Sequence, residues 1–147
     1  MTITQALATT FKVELGQGIH NFTTGGDTFR IALIKPNDEQ VGNHNAATTN
    51  YSDLGADEVT GTGYTAGGID LTNVTPVADG VTAVFDFGDA TFSTVTLTTR
   101  GALIYNSTDS NRAVAVLDFG SDRVVTGGDI EIIFPAAVAA SAIIRLT

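Results

Sequence analysis

The chain has 147 residues, 43% of them apolar and 16% charged, which excludes a disordered chain and suits one domain with its own core. Its 7 basic and 16 acidic residues give a formal net charge of −9, which disfavours binding to nucleic acid or to an anionic membrane. The absence of cysteine excludes disulfides and Cys-ligated metals, and no apolar run approaches the roughly 20 residues of a membrane span. The low charged share leaves apolar area on the surface, which indicates contact with another protein.

The N-terminal arm, residues 1–18, is predicted to contain a short amphipathic helix over residues 2–15. One face of that helix would carry Leu7, Phe11 and Leu15. This helix is expected to contact a partner protein as part of the role that the family resemblance described below implies.

Residues 37–57 are polar and rich in asparagine, and we predict a long loop that leaves the compact core. Loops of this length are either mobile or functional, and we favour a contact arm. Tyr51 and Leu54 would anchor the arm on a neighbouring protein. A disordered surface loop remains the alternative.

Short apolar runs separated by Gly, Asp and Asn predict a series of β-strands along the rest of the chain. The predicted strands cover residues 28–34, 69–75, 81–87, 92–99, 130–134 and 142–146. Residues 58–68 contain four glycines but lack the Lys-Ser/Thr of a phosphate-binding loop, so they indicate a turn or bulge with positive φ. Glycines at 127 and 128, followed by Asp129, predict another turn.

The stretch 100–119 is the central element of the prediction. Two apolar arms, RGALIYN and AVAVLDF, flank the polar connection STDSNR, which predicts a β-hairpin. Both faces of both arms are apolar, so the hairpin belongs in the middle of a packed structure. The spacing of about ten residues between turns predicts a single all-β domain over residues 1–147, a β-sandwich or barrel with a short N-terminal helix.

The residues that carry chemistry form no recognisable catalytic or metal-binding pattern. His20 and His44 lie in polar stretches without partners at metal-site spacing, so we expect both to be exposed loop residues. Asp86 with Asp89, and Asp118 with Asp122, flank turns in a way that could suit calcium. Aspartates that bond to backbone amides at strand ends explain the same positions more simply. No catalytic residue, cofactor or metal is predicted.

Several segments together resemble a family of small virion proteins of tailed bacteriophages. These segments are DTFRIAL at 27–33, VTGTGYTAGG at 59–68, RGALIYN at 100–106, NRAVAVLDFG at 111–120, GDIEIIFP at 128–135 and AIIRL at 142–146. The resemblance covers nearly the whole chain, and the segments are signatures of strands and turns.

The resemblance implies a structural role without enzymatic activity. Some small phage proteins of similar size and strand pattern are capsid cement or decoration proteins with jelly-roll folds, which bridge major capsid subunits on the outside of the shell. The resemblance therefore implies that this chain forms a homodimer or homotrimer bound to the major capsid protein. The protein would be made in the bacterial cytoplasm and located on the virion exterior. A tail or neck protein, associated with fibres, is the alternative. A carbohydrate-binding module is a further alternative, which the absence of Trp and the presence of only three Tyr disfavour.

Overall fold

The computed structural model describes residues 1–147 as a mostly β fold with one short α-helix. The elements are β1 (Ala6–Leu7), α1 (Thr9–Gly16), β2 (Phe29–Ile34), β3 (Ile69–Asp70), β4 (Asn73–Asp79), β5 (Thr82–Phe87), β6 (Ala90–Asn106), β7 (Arg112–Ile132) and β8 (Ile144–Leu146). They form a five-stranded sheet of order β1-β7-β6-β2-β3 and a three-stranded sheet of order β4-β5-β8, both antiparallel. None of the helices combines the length and the apolarity that a membrane-spanning segment needs.

The hairpin of β6 and β7 is the centre of the larger sheet, as its sequence predicts. Its strands have 17 and 21 residues, and residues 101–106 and 113–117 are buried along their whole length. β2 pairs with β6 on one side, and β1 pairs with β7 on the other. Strands in the middle of a sheet, covered on both faces, need apolar side chains at every position. The prediction of a doubly buried hairpin is therefore confirmed.

Aromatic side chains fill the space between the two sheets. Phe29 of β2 lies 5.6 Å from Phe87 of β5, measured between ring centroids. Phe22 stacks on Phe29 at 4.3 Å and meets Phe85 edge-on at 5.1 Å. Such pairs add to the stabilisation that comes from burying their area. The core therefore sits between the five-stranded and the three-stranded sheet.

The N-terminal helix begins later than the sequence pattern predicts. Ala6 and Leu7 are extended and pair with β7, and α1 covers only Thr9–Gly16. The side chain of Gln5 accepts a hydrogen bond from the backbone amide of Asp118, and so it also lies against β7. The predicted helix over residues 2–15 is therefore wrong in its first half, because pairing with an open strand edge satisfies these backbone groups.

Residues 37–57 stay on the body of the protein, so the prediction that they leave the core is wrong. They form three single turns of 3-10 helix, at Asn37–Glu39, Tyr51–Asp53 and Gly55–Asp57. Three of their side chains, His44, Leu54 and Asp57, are almost completely buried. The amide of Thr4 donates to the carbonyl of His44, and the amide of His44 donates to the carbonyl of Thr2. The segment and the N-terminal residues thus hold each other in place.

Candidate functional site

His20 lies inside the protein, which corrects the expectation that it is an exposed loop residue. Its ring Nε2 lies 2.6 Å from Oε2 of Glu14 on α1. Its Nδ1 lies 3.0 Å from Nδ2 of Asn106 at the end of β6, and that amide also donates to Asp27. Because the Asn106 amide is a donor, Nδ1 is assigned as the acceptor and Nε2 as the protonated nitrogen. The ring is fully used in joining α1 to the central hairpin.

His44 is also buried, so the same expectation is wrong for it. Its Nε2 lies 2.8 Å from Oδ2 of Asp57, and the carboxylate also accepts hydrogen bonds from the amides of Val41 at 2.8 Å and Gly42 at 3.0 Å. Burial raises the pKa of Asp57, but these three donors outweigh it, and the pKa lies below its usual value. The pair therefore clamps residues 41–44 onto residue 57.

A third internal network contains all three tyrosines of the chain. The hydroxyls of Tyr51 and Tyr64 donate to the two carboxylate oxygens of Glu58 at 2.5 and 2.7 Å. The hydroxyl of Tyr105 donates to the carbonyl of Gly67 at 2.6 Å, and its ring stacks on Tyr51 at 4.7 Å. Burial, together with the Glu58 carboxylate, raises the pKa of both Tyr51 and Tyr64 far above the usual value.

This tyrosine network fixes the glycine-rich segment, where the sequence predicts a turn with positive φ. Gly63, Gly67 and Gly68 all have positive φ, so that prediction is confirmed. The amide of Gly67 donates to Glu58, and Arg30 donates to the carbonyls of Gly67 and Gly68. The segment is held in one conformation by side chains from three different parts of the chain.

Three of the four aspartates considered for calcium bond to backbone amides, as the simpler explanation predicts. Asp86 accepts from the amide of Phe87, Asp89 from that of Phe134, and Asp118 from that of Gly120. No group of three or more His, Asp or Glu side chains is arranged to hold a metal ion.

The paired aspartates of β7 also meet a guanidinium. Arg100 lies 3.0 Å from the Asp118 carboxylate and 3.7 Å from that of Asp122. Burial raises the pKa of Asp118, but the Gly120 amide and Arg100 outweigh it and lower the pKa below its usual value.

The predicted contact residues divide between the core and its margin. Phe11 and Leu54 are only 0% and 2% exposed, so in this fold neither side chain can reach a partner. Phe11 is predicted from the apolar face of the helix and Leu54 as an apolar anchor within a polar loop, and an apolar side chain in either position can equally fill a core. Leu7, Leu15 and Tyr51 are partly buried and pack against the core. The contact prediction for those three stays a prediction.

Exposed apolar side chains occur instead on the three-stranded sheet. We name Val74, Val77 and Val81 the valine face; their side chains are 41%, 57% and 93% exposed. Val74 pairs with Asp86 and Val77 with Val84 across β4 and β5, which places both valines on one side of this sheet. Val81 occupies the turn between these strands.

A second exposed apolar feature is a groove of about 690 Å³ beside β7. We name it the β7 groove. Its apolar lining includes Val124, Val125, Ile130, Ile132, Ile133 and Phe134. Val124 and Ile133 are 73% and 71% exposed, which is unusual for side chains of this size. The sequence pattern did not separate Val124 of β7 and Ile133, which directly follows β7, from their buried apolar neighbours.

Comparisons of the chain with protein-family models, with curated proteins and with solved structures found no match.

Proposed function

We propose that this chain is a structural protein of a phage particle, a capsid cement or decoration protein that stabilises the lattice of the major capsid protein as a homo-oligomer. It would be made in the cytoplasm of the bacterial host and would sit on the outside of the capsid. The proposal is supported by the resemblance of its strand and turn segments to small virion proteins. It is also supported by the way in which the chain distributes its polar and apolar side chains.

The observation that carries the proposal is the valine face. Large apolar side chains in water cost free energy, and burying one contributes about 1.5–3 kcal/mol. Val77 and Val81, at 57% and 93% exposed, keep much of that contribution available for association. An exposed apolar patch on a sheet can pack against the same patch of a second copy in a homodimer, or against a different surface of the next copy in a closed ring such as a homotrimer.

The interior supports a role that depends on a fixed shape. Both histidines and Glu58 bond to other groups of the same chain, at distances of 2.5–2.8 Å for their carboxylate pairs. Such bonds hold the loops between strands in place, and a surface whose loops are already ordered loses less entropy on binding. A shell repeats each contact many times, so weak individual contacts suffice.

We also propose that the two sheets form a β-sandwich of the jelly-roll type. Phenylalanines of β2 and β5 pack between the two sheets, which supports a β-sandwich. Eight strands in two sheets equal the number in a jelly roll, and we propose a jelly-roll-like arrangement.

Cryo-electron microscopy of the parent virion tests the proposal. We expect density for this chain on the outer face of the capsid, in hundreds of copies. Density in the tail or neck, at the copy number of a single ring, would instead establish the alternative role. Absence from the purified particle would refute both roles.

Mutation of the valine face tests the homo-oligomer separately. Val77→Asp places a charge in the patch and is expected to shift the protein toward monomer in sedimentation velocity. Thr65→Asp, at an exposed position of the glycine-rich turn, adds the same charge elsewhere and serves as the control. Equal sedimentation of both variants and the native protein would show that the valine face does not mediate association.

A further inference from the structure

We propose that the β7 groove binds an extended segment of a partner protein in which apolar and basic residues alternate. This inference goes beyond the virion role and does not depend on it. It is drawn from the open edge of β7, from the exposed side chains beside that edge and from the charge around them.

The outer edge of β7 is unpaired for most of its length. β1 pairs only with Ala115 and Val116, and beyond that point β7 has β6 as its sole neighbouring strand as far as Ile132. The amide of Asp118 already donates to the side-chain amide oxygen of Gln5, at 3.1 Å. That oxygen is chemically equivalent to a peptide carbonyl, so the contact shows how a neighbouring strand would be received. Addition of a strand to an open edge is an established mode of peptide recognition.

A bulge in β7 gives the edge its curvature and sets the length of the bound segment. Thr99 pairs with Arg123 but Gly101 pairs with Asp118, so β7 has extra residues opposite β6 at this point. Gly120 in the bulge has a φ of +78°. Bulges bend an edge and limit indiscriminate pairing. Beyond this bulge the edge of β7 runs from Arg123 to Ile132, with further register shifts near Gly127, and spans about 33 Å, which suits a segment of about eight to ten residues.

The side chains along the groove favour a ligand with apolar residues. Val124 and Ile133 are largely exposed, whereas Ile130, Ile132 and Phe134 are 7–8% exposed and form the wall. An extended segment presents every second side chain to one side. Apolar residues at alternate positions would therefore cover Val124 and Ile133 while the intervening residues face the groove rim.

The negative charge at the groove rim favours basic residues between the apolar residues of the bound segment. Four carboxylates line the groove, those of Asp118, Asp122, Asp129 and Glu131, together with the guanidinium of Arg123. Arg100 already pairs with Asp118 and Asp122, so Asp129 and Glu131 carry the negative charge that a ligand would meet. Two copies paired through this edge would bring the carboxylates of both rims together, so like charge disfavours a second copy as the occupant of this groove. A segment with Lys or Arg at alternate positions complements this rim.

Fluorescence anisotropy with two labelled octapeptides tests the proposal, one alternating Lys and Val and the other alternating Glu and Val. We expect the Lys-Val peptide to saturate the native protein in low salt and the Glu-Val peptide to bind at least about tenfold more weakly. Val124→Asn is expected to weaken the Lys-Val peptide by about tenfold or more, a change of about 1.4 kcal/mol. Val41→Asn is the matched control, since Val41 is 72% exposed but lies in residues 37–57, away from the groove.

Three results would overturn the proposal. The first is no saturable binding of the Lys-Val peptide, and the second is equal binding of the two peptides. The third is an equal loss in Val124→Asn and Val41→Asn. Sedimentation velocity provides a further test. If the native protein is a dimer that the Val124→Asn substitution dissociates and the Val41→Asn substitution leaves intact, the groove binds a second copy of this chain and the basic partner is refuted.

Discussion

Replacement of Asp57 by alanine is expected to cost about 3–5 kcal/mol of unfolding free energy, because it removes a buried carboxylate and leaves three hydrogen-bond donors without their partner. The carboxylate is 1% exposed and accepts from the amides of Val41 and Gly42 and from the ring of His44. Hydrogen bonds to a charged group contribute about 1.5–3 kcal/mol each, so three of them would sum to roughly 4.5–9 kcal/mol. Water that enters the cavity binds part of the freed donors and reduces the expected net loss to about 3–5 kcal/mol.

The assay is urea unfolding followed by far-ultraviolet circular dichroism. A loss of this size corresponds to a fall in the midpoint of thermal unfolding of about 6–20 °C for a chain of this length. Asp38→Ala is the control, because Asp38 lies in the same segment and is exposed. Its expected effect is within about 0.5 kcal/mol. A cost of about 1 kcal/mol or less for Asp57→Ala, or one equal to the control, would refute the claim that this carboxylate clamps residues 41–44.

The same carboxylate makes stability depend on acid. The folded pKa of Asp57 lies below its unfolded value, so its contribution is complete above about pH 4 and is lost as the pH falls through the folded value. Asp57→Asn cannot titrate, and its unfolding free energy should fall less than that of the native protein between pH 6 and pH 3. Equal slopes would contradict this reasoning. Asp118, whose pKa is also lowered, leaves some acid dependence in both proteins.

Two further predictions concern the glycine-rich segment. Burial and Glu58 raise the pKa of Tyr51 and Tyr64, so ultraviolet titration should detect phenolate only as the chain unfolds, with stability falling above about pH 10; normal titration in the folded state would contradict the network. Gly68→Ala places its Cβ 1.7 Å from the carbonyl oxygen of Ile31 at a φ of +75°, so it should cost more than about 3 kcal/mol in urea unfolding. Gly80→Ala, with φ +63° and open space, should cost only about 1 kcal/mol, and similar losses in both would refute the close approach.

The strands could be predicted from the sequence because their signals are local. The hairpin arms and β5 show apolar side chains and turn residues within a few positions of one another. The turn expected at Gly127 and Gly128 does not occur, although the signal is present, because β7 continues to Ile132. Gly127 adopts a φ of +59° within the strand, where the register with β6 shifts. A glycine pair is typical of a bulge as well as of a turn.

The buried polar networks could not be predicted because their members are distant in the sequence. His20 contacts Asn106, which lies 86 residues away, and His44 contacts Asp57 from the far side of a 13-residue segment. Nothing in the immediate surroundings of either histidine indicates burial. For the same reason the sequence of residues 37–57 is typical of a free loop. In the structure buried hydrogen bonds and the apolar side chain of Leu54 anchor this segment, but polar residues show no periodic pattern from which that anchoring could be predicted.

The position of the central hairpin late in the chain has a consequence for synthesis on the ribosome. The apolar strand β2 pairs with residues 101–106 of β6, roughly 70 residues further along. At a rate of about 5–20 residues per second, β2 waits about 4–14 s for its partner. Nascent chains therefore carry an apolar strand without its partner during translation. Where ribosomes are crowded on one message, these strands can pair with one another, so we expect inclusion bodies to form during synthesis even under conditions in which the finished protein stays dissolved.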